Sequence, residues 1–130
     1  MNYTHKALAF DSLAQVIKEE KRKGKSIVQC HGTFDLIHPG HIIHFEEAKA
    51  LGDILVITIT AEDHVNKGPG RPHFNDELRL RSLTSLEFVD YVCIIPFPAA
   101  VEAIRVVSPD IYCKGKEYES PEIDTNRYAK

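Results

Sequence analysis

The most constraining feature of this chain is an alternation of short, almost wholly apolar runs with longer segments of helical periodicity. Residues Ser26 to His31, Asp53 to Thr60, Val89 to Ile95 and Asp110 to Cys113 read as strands. Between and before them, Ser12 to Arg22, Gly40 to Leu51, Asn75 to Glu87 and Pro98 to Val107 read as helices. A strand exposed on one face alternates apolar and polar residues, whereas a nearly continuous apolar run is buried on both faces. Strands of that kind separated by helices specify a parallel sheet with helices on either side. The predicted fold is therefore a three-layer α/β domain with a parallel sheet of four or five strands. Right-handed crossovers gather the loops that follow the strands along one edge, where such folds bind ligands.

The 130 residues suffice for one domain with its own core. The domain is expected over residues 1–118, with an N-terminal helix and its basic end at 12–25 and a polar tail at 119–130. In the helix, Leu13, Val16 and Ile17 form the apolar stripe, Asp11 or Ser12 is the expected N-cap, and Gly24 the expected C-terminal stop. The run Lys18 to Lys25 then reads as a solvated helix end whose cations suit the negative end of the dipole. The apolar runs Ile54 to Ile59 and Val89 to Pro98 are far shorter than the ~20 residues that span a bilayer. The N-terminus has no basic segment followed by a long apolar stretch, and Cys30, Cys93 and Cys113 lack zinc-type spacing. Buried, reduced thiols in a cytoplasmic protein are expected, and no membrane partner. A net charge of -3 gives no support for nucleic-acid binding, where a basic face is expected.

The chemistry concentrates in the first loop, His31-Gly32-Thr33-Phe34-Asp35-Leu36-Ile37-His38-Pro39-Gly40-His41. It joins the first strand to the start of a helix. Backbone amides at a helix start are unpaired and the dipole adds positive potential, so the place suits an anion. Gly32 and Gly40 allow the backbone to approach a phosphate closely. His38 and His41, three residues apart, fall on one side of the helix start and can donate to phosphate oxygens. Of the seven histidines, four lie between His31 and His44, so a metal site is an alternative. No cysteine or carboxylate completes a familiar ligand set, and no metal ligand is assigned. His44 reads as a helix-surface or partly buried residue. Asp35 either takes part in catalysis or caps backbone amides. Arg79 either contacts a ligand or pairs with Asp76, and Asp90 reads as a cap at a strand start.

The run Gly32 to His41 resembles the G-[TC]-F-D-x-x-H-x-G-H signature of the cytidylyltransferase-like nucleotidyltransferases. Lys67-Gly68-Pro69-Gly70-Arg71-Pro72, which alone would read as a surface turn, resembles a loop of the bacterial heptose 1-phosphate adenylyltransferases of lipopolysaccharide core synthesis. Arg79 with Leu83, Leu86, Val89 and Asp90 resembles that family's R-x-x-x-L-x-x-L-x-x-V-D pattern. Lys114-Gly115-Lys116-Glu117-Tyr118 resembles its K-G-G-D-Y loop. The similarity covers residues 12–118.

The resemblance implies a Rossmann-like nucleotidyltransferase fold and transfer of a nucleotide from a nucleoside triphosphate to a phosphorylated sugar or polyol, with release of pyrophosphate. It implies Mg²⁺ carried with ATP or CTP, and a homodimer. His38, His41 and Lys67 take the catalytic positions. Gly32, Thr33, Phe34, Gly40, Arg71, Lys114 and Gly115 take nucleotide-binding positions, and Asp35, Glu62 and Arg79 substrate-binding ones. The chain departs from the heptose pattern at His31 (commonly Asn), at Thr33 (commonly Cys) and in a shorter loop before Lys67. Its G-T-F-D form is more typical of glycerol-phosphate and phosphocholine cytidylyltransferases, so a glycerol 3-phosphate cytidylyltransferase is the second reading. A second phosphate-binding run of the S-S-T kind is missing, Ser120-Pro121 being the nearest approach. This predicts that the natural protein continues beyond Lys130. It also keeps open a regulatory module that binds nucleotide without turnover.

Overall fold

A computed structural model describes residues 5–64, 75–114 and 128–129. In chain order its elements are β1 (Ala7–Leu8), α1 (Phe10–Arg22), β2 (Ile27–Gly32), α2 (Pro39–Lys49), β3 (Ile54–Thr60), a 3₁₀ turn (Glu62–His64), α3 (Asp76–Thr84), β4 (Tyr91–Ile95), α4 (Ala100–Val107), β5 (Ile111–Cys113) and β6 (Tyr128–Ala129). The sheet order is β1-β4-β3-β2-β5-β6. The first five strands pair in parallel, and only β6 runs antiparallel, against β5.

The period-2 geometry of each strand sorts its side chains into two layers. Val28 and Cys30 of β2, with Leu55, Ile57 and Ile59 of β3, pack with Phe45 and Ala48 of α2 and Leu83 of α3. Their neighbours Ile27, Ile54 and Val56 face the other way, against Leu13 and Ile17 of α1 and Ala103 and Val107 of α4. All seven residues of β3 are buried, as its unbroken apolar run requires.

The strand order reverses between β2 and β5. A crevice opens at the carboxyl ends of strands at such a point. The loop after β2 and Lys114, the residue after β5, both reach that edge.

At the opposite edge, three aspartates hold the strand starts. Asp53 accepts from the Ser26 N–H (2.9 Å), Asp110 from the Ile27 N–H (2.7 Å) and Asp90 from the Leu55 N–H (2.8 Å). Asp90 also takes the Lys49 ammonium at 2.7 Å, which bears out its reading as a cap. Asp90→Ala leaves the Leu55 amide without its acceptor, and is expected to cost about 1–3 kcal/mol. A lowered urea midpoint with an unchanged slope would register it.

Several boundaries differ from expectation. The first helix starts at Phe10 with Ala9 as N-cap, so Asp11 and Ser12 lie inside its first turn. There Asp11 meets the positive end of the dipole instead of capping, and Phe10 packs edge-on to Phe97. Gly24 does end the helix. At φ +84° its N–H reaches the Lys21 carbonyl (2.9 Å), while the Lys25 N–H reaches that of Glu20 (3.2 Å), the paired bonds of a left-handed stop. The third helix ends at Thr84, short of Glu87, and the next strand begins only at Tyr91 because Asp90 is engaged in its cap. The fifth parallel strand is β1, two residues too short to show a period. The tail expected at 119–130 includes β6, which pairs through backbone on the open edge of β5.

Candidate functional site

The N-terminus of α2 is built by its own two histidines. His38 is the N-cap, in extended backbone, and Pro39 follows in the first turn where a missing N–H costs nothing. The Gly40 N–H donates to His38 Nδ1 (3.0 Å), and the His38 N–H donates to His41 Nδ1 (3.2 Å). The rings lie 4.0 Å apart, centroid to centroid. The three-residue spacing therefore brings both imidazoles together, as expected.

The amides do not serve as expected. Pro39 has none, that of Gly40 is taken by His38, and those of His41 and Ile42 bond to the His38 carbonyl at 2.9 and 3.2 Å. A reciprocal capping box has used the donors that an anion would otherwise meet. The donor capacity passes instead to the rings. A neutral imidazole whose Nδ1 accepts a hydrogen bond carries its proton on Nε2. Both histidines are thus set as Nε2–H donors. Burial, with the neighbouring His38 and His44 adding to it, pushes His41 down to about 4. It is a neutral donor at physiological pH.

The loop behind these rings rests on Phe34. Its φ of +50° is left-handed, an uncommon and costly conformation for a bulky residue. The turn sends the ring inward, where it is buried edge-on to both His41 (5.7 Å) and Phe45 (5.1 Å). A Cβ at Gly32 would stand 2.8 Å from the tip of that ring. Gly32 is thus needed for Phe34 to pack; no phosphate is required to explain it. Phe34, expected on a nucleotide-binding position, spends its side chain on the core and leaves its backbone to face the loop.

Arg79 and Glu62, expected on substrate-binding positions, are engaged with protein. The Arg79 side chain is fully buried, with Nη2 2.6 Å from Asp76 and Nη1 2.9 Å from the Thr33 carbonyl. Glu62 and Asp76 exchange bonds across the gap in sequence: the Glu62 N–H donates to the Asp76 carboxylate (2.7 Å) and the Asp76 N–H to that of Glu62 (3.2 Å). Asp35 is half-buried in the loop, and Lys114 is exposed at the carboxyl end of β5. Lys67, Arg71 and Gly115 lie outside the described residues. His44, expected at a helix surface or partly buried, is buried instead, its Nε2 3.8 Å from Cys30 Sγ. It faces the layer that α2 lays on β2. Cys30, Cys93 and Cys113 are buried as free thiols. Among the described residues no three His, Cys, Asp or Glu side chains are grouped to hold a metal ion, and no helix is long and apolar enough to cross a membrane.

One polar cluster was not anticipated. Gln29 Nε2 donates to Thr58 Oγ1 (3.0 Å), and the same hydroxyl lies 2.8 Å from His31 Nδ1 and reaches the Cys30 carbonyl at 3.4 Å. His31 Nε2 lies 3.3 Å from Thr60 Oγ1. Burial pushes His31 down to about 4. The signal lay in the sequence as polar residues two apart inside apolar strands, Gln29 with His31 and Thr58 with Thr60. That is the strand period, marking one polar stripe on the α1 and α4 side.

Known proteins share both pattern and fold. The HldE bifunctional protein of Syntrophotalea carbinolica is 36% identical over 120 residues, covering 91% of this chain and 24% of its own length. That of Helicobacter pylori is 36% identical over 133 residues, covering 100% and 28% respectively. The chain thus spans about a quarter of the length of these curated relatives. A lipopolysaccharide core biosynthesis protein from Thermoplasma volcanium superposes with a TM-score of 0.63 at 30% identity, over 68% of this chain and 73% of that one. The model of the cytidylyltransferase-like family matches residues 29–126, from β2 through the motif loop and past β5. With the histidine pair seated at the switch point of a parallel sheet, the match is one of fold, motif and position together, and the chain belongs to the cytidylyltransferase-like family.

Proposed function

We propose that this domain transfers a nucleotidyl group from a nucleoside triphosphate to a phosphorylated sugar, in the manner of heptose 1-phosphate adenylyl transfer. The observation that carries this reading is the pair of capped imidazoles, both set to donate from Nε2 at the carboxyl edge of the sheet. In the transfer, an oxygen of the acceptor phosphate attacks the α-phosphorus in line. A new P–O bond forms as the bond to the β-phosphate bridging oxygen breaks, and pyrophosphate leaves with that electron pair. Charge accumulates on the non-bridging oxygens, where fixed neutral donors stabilise it without reorganising. His38 and His41 fill that role. Lys67, Arg71 and Lys114 supply cations to the phosphates, and the backbone of Gly32, Thr33, Gly40 and Gly115 lets them approach.

The donors on the motif loop are mainly nitrogens, suited to phosphate, with Asp35 as its carboxylate. That set fits a magnesium ion held chiefly by the triphosphate, since Mg²⁺ commonly takes one or two carboxylates besides phosphate oxygens. Such an ion would neutralise triphosphate charge. The sugar and the adenine rest on the resemblance of the loop from Lys67 to Pro72, and the similarity to the lipopolysaccharide core biosynthesis protein of Thermoplasma volcanium supports the same pathway chemistry. Thr33 and His31 favour the second reading, a cytidylyltransferase acting on glycerol 3-phosphate.

Pyrophosphate release with Mg²⁺, ATP or CTP, and candidate sugar 1-phosphates or glycerol 3-phosphate tests both. Release with ATP and heptose 1-phosphate is expected. Release only with CTP and glycerol 3-phosphate selects the second reading. Nucleotide binding without release for any pair overturns transfer in favour of a binding module.

A further inference from the structure

We infer that Arg79 is a positioning residue for the histidine pair: its buried guanidinium holds the left-handed turn at Phe34 through the Thr33 carbonyl and thereby sets the ring of His41. The inference rests on the transfer reading for its kinetic consequence alone; its structural consequence is independent.

A guanidinium with no solvent exposure is expensive unless its partners are specific. Asp76 provides the charge partner at 2.6 Å. Helix α3 alone would be satisfied by that pair, three residues apart on one helix. The further bond, 2.9 Å to the Thr33 carbonyl, ties α3 to the loop after β2, 46 residues away. Nε has no partner among the described residues. Its placement is explained by what Nη1 holds.

That carbonyl belongs to the peptide leading into Phe34, whose φ is +50°. Such backbone persists only where surrounding contacts over-determine it. Two contacts do so here. One is the Arg79 bond on the peptide; the other is the ring, lodged against Gly32, His41 and Phe45. If the peptide is released, φ relaxes and the ring leaves its slot. His41 then loses an aromatic wall at 5.7 Å and gains water. Asp76 is itself braced by the Glu62 N–H at 2.7 Å, so the clamp also joins the end of β3 to the same turn. The chain of contact runs from Glu62 through Asp76, Arg79 and Thr33 to Phe34 and His41.

The test is a histidine NMR titration of the full chain, run beside pyrophosphate release. Arg79→Lys and Arg79→Met are expected to raise the His41 titration from about 4 toward the ordinary 6.5. They should lower kcat about 10- to 100-fold, the size of a misplacement near 1 Å, with a much smaller change in KM for nucleotide. Leu13→Ala is the control, a buried residue of α1 in the layer on the other face of the sheet, which destabilises without touching Thr33 or the packing around Phe34. It should leave the His41 titration where it is. If neither Arg79 variant folds, Asp76→Asn decides, because it keeps an acceptor for Glu62 but removes the charge that anchors Arg79. A smaller rise in the same direction is expected. An unchanged His41 titration in the folded variants, or an equal rise in Leu13→Ala, overturns the inference. Absence of turnover in the wild-type chain overturns the transfer reading and leaves the titration result standing.

Discussion

Turnover is expected to fall about 10²–10³-fold when His38 or His41 is replaced by Ala, the usual loss for one preorganised donor at a developing oxyanion. The capping box makes a finer test available. Each ring uses Nδ1 to hold backbone, from Gly40 in one case and His38 in the other, which puts its proton on Nε2. Asn places an acceptor near the Nδ1 position but has nothing at Nε2, whereas Gln reaches the Nε2 position with an N–H. His41→Asn should therefore keep the helix start and lose turnover nearly as far as Ala. His41→Gln should recover part of the turnover while losing the cap, at about 1 kcal/mol. Thermal unfolding and pyrophosphate release, measured on the same samples, separate the two jobs. Wild-type turnover in all three variants would remove His41 from the chemistry.

Stability is expected to fall as the pH drops from about 6.5 to about 4. His31 and His41 both titrate near 4 in the folded chain because burial disfavours their charged form. In the unfolded chain they take up protons near 6.5. The folded-state value is the depressed one, so stability is complete above 6.5 and is lost as protons bind the unfolded state first. Each pH unit in that window costs about 1.4 kcal/mol per histidine. For His31 the loss approaches ~3 kcal/mol, and the more exposed His41 gives less because water screens it. Thermal midpoints across pH 4–7 report the decline. His31→Gln, which does not titrate, should flatten the curve by roughly the His31 share, and an unchanged slope would sink the assignment.

Much of the fold was legible because strand burial and helix periodicity are local properties. The continuous run of β3 announced a strand buried on both faces, and Leu13, Ile17 and Leu83 announced the helix faces that cover it. Boundaries were less legible, since they turn on single bonds: Asp90 spent on the Leu55 amide delays β4, and β1 and β6 are too short to carry a pattern. The site was legible in its membership more than in its roles. Spacing brought His38 and His41 together, but nothing in it revealed that the ring and the carbonyl of His38 would use up the amides of the helix start. Phe34 reads as a motif residue and acts as a wedge in the core. Arg79 and Asp76 read as a pair, yet the bond that gives the pair a use runs to Thr33, far off in sequence.

By itself the sequence determined the layered α/β architecture, the loop at which chemistry gathers and the family to which the chain belongs. Those follow from periodicities and a contiguous motif, which act over a few residues. Only the tertiary structure decided which donors remain for a ligand and what holds them. Those outcomes depend on hydrogen bonds between distant segments, where each N–H or ring nitrogen can be spent once, and on whether a strained turn finds enough contacts to keep it.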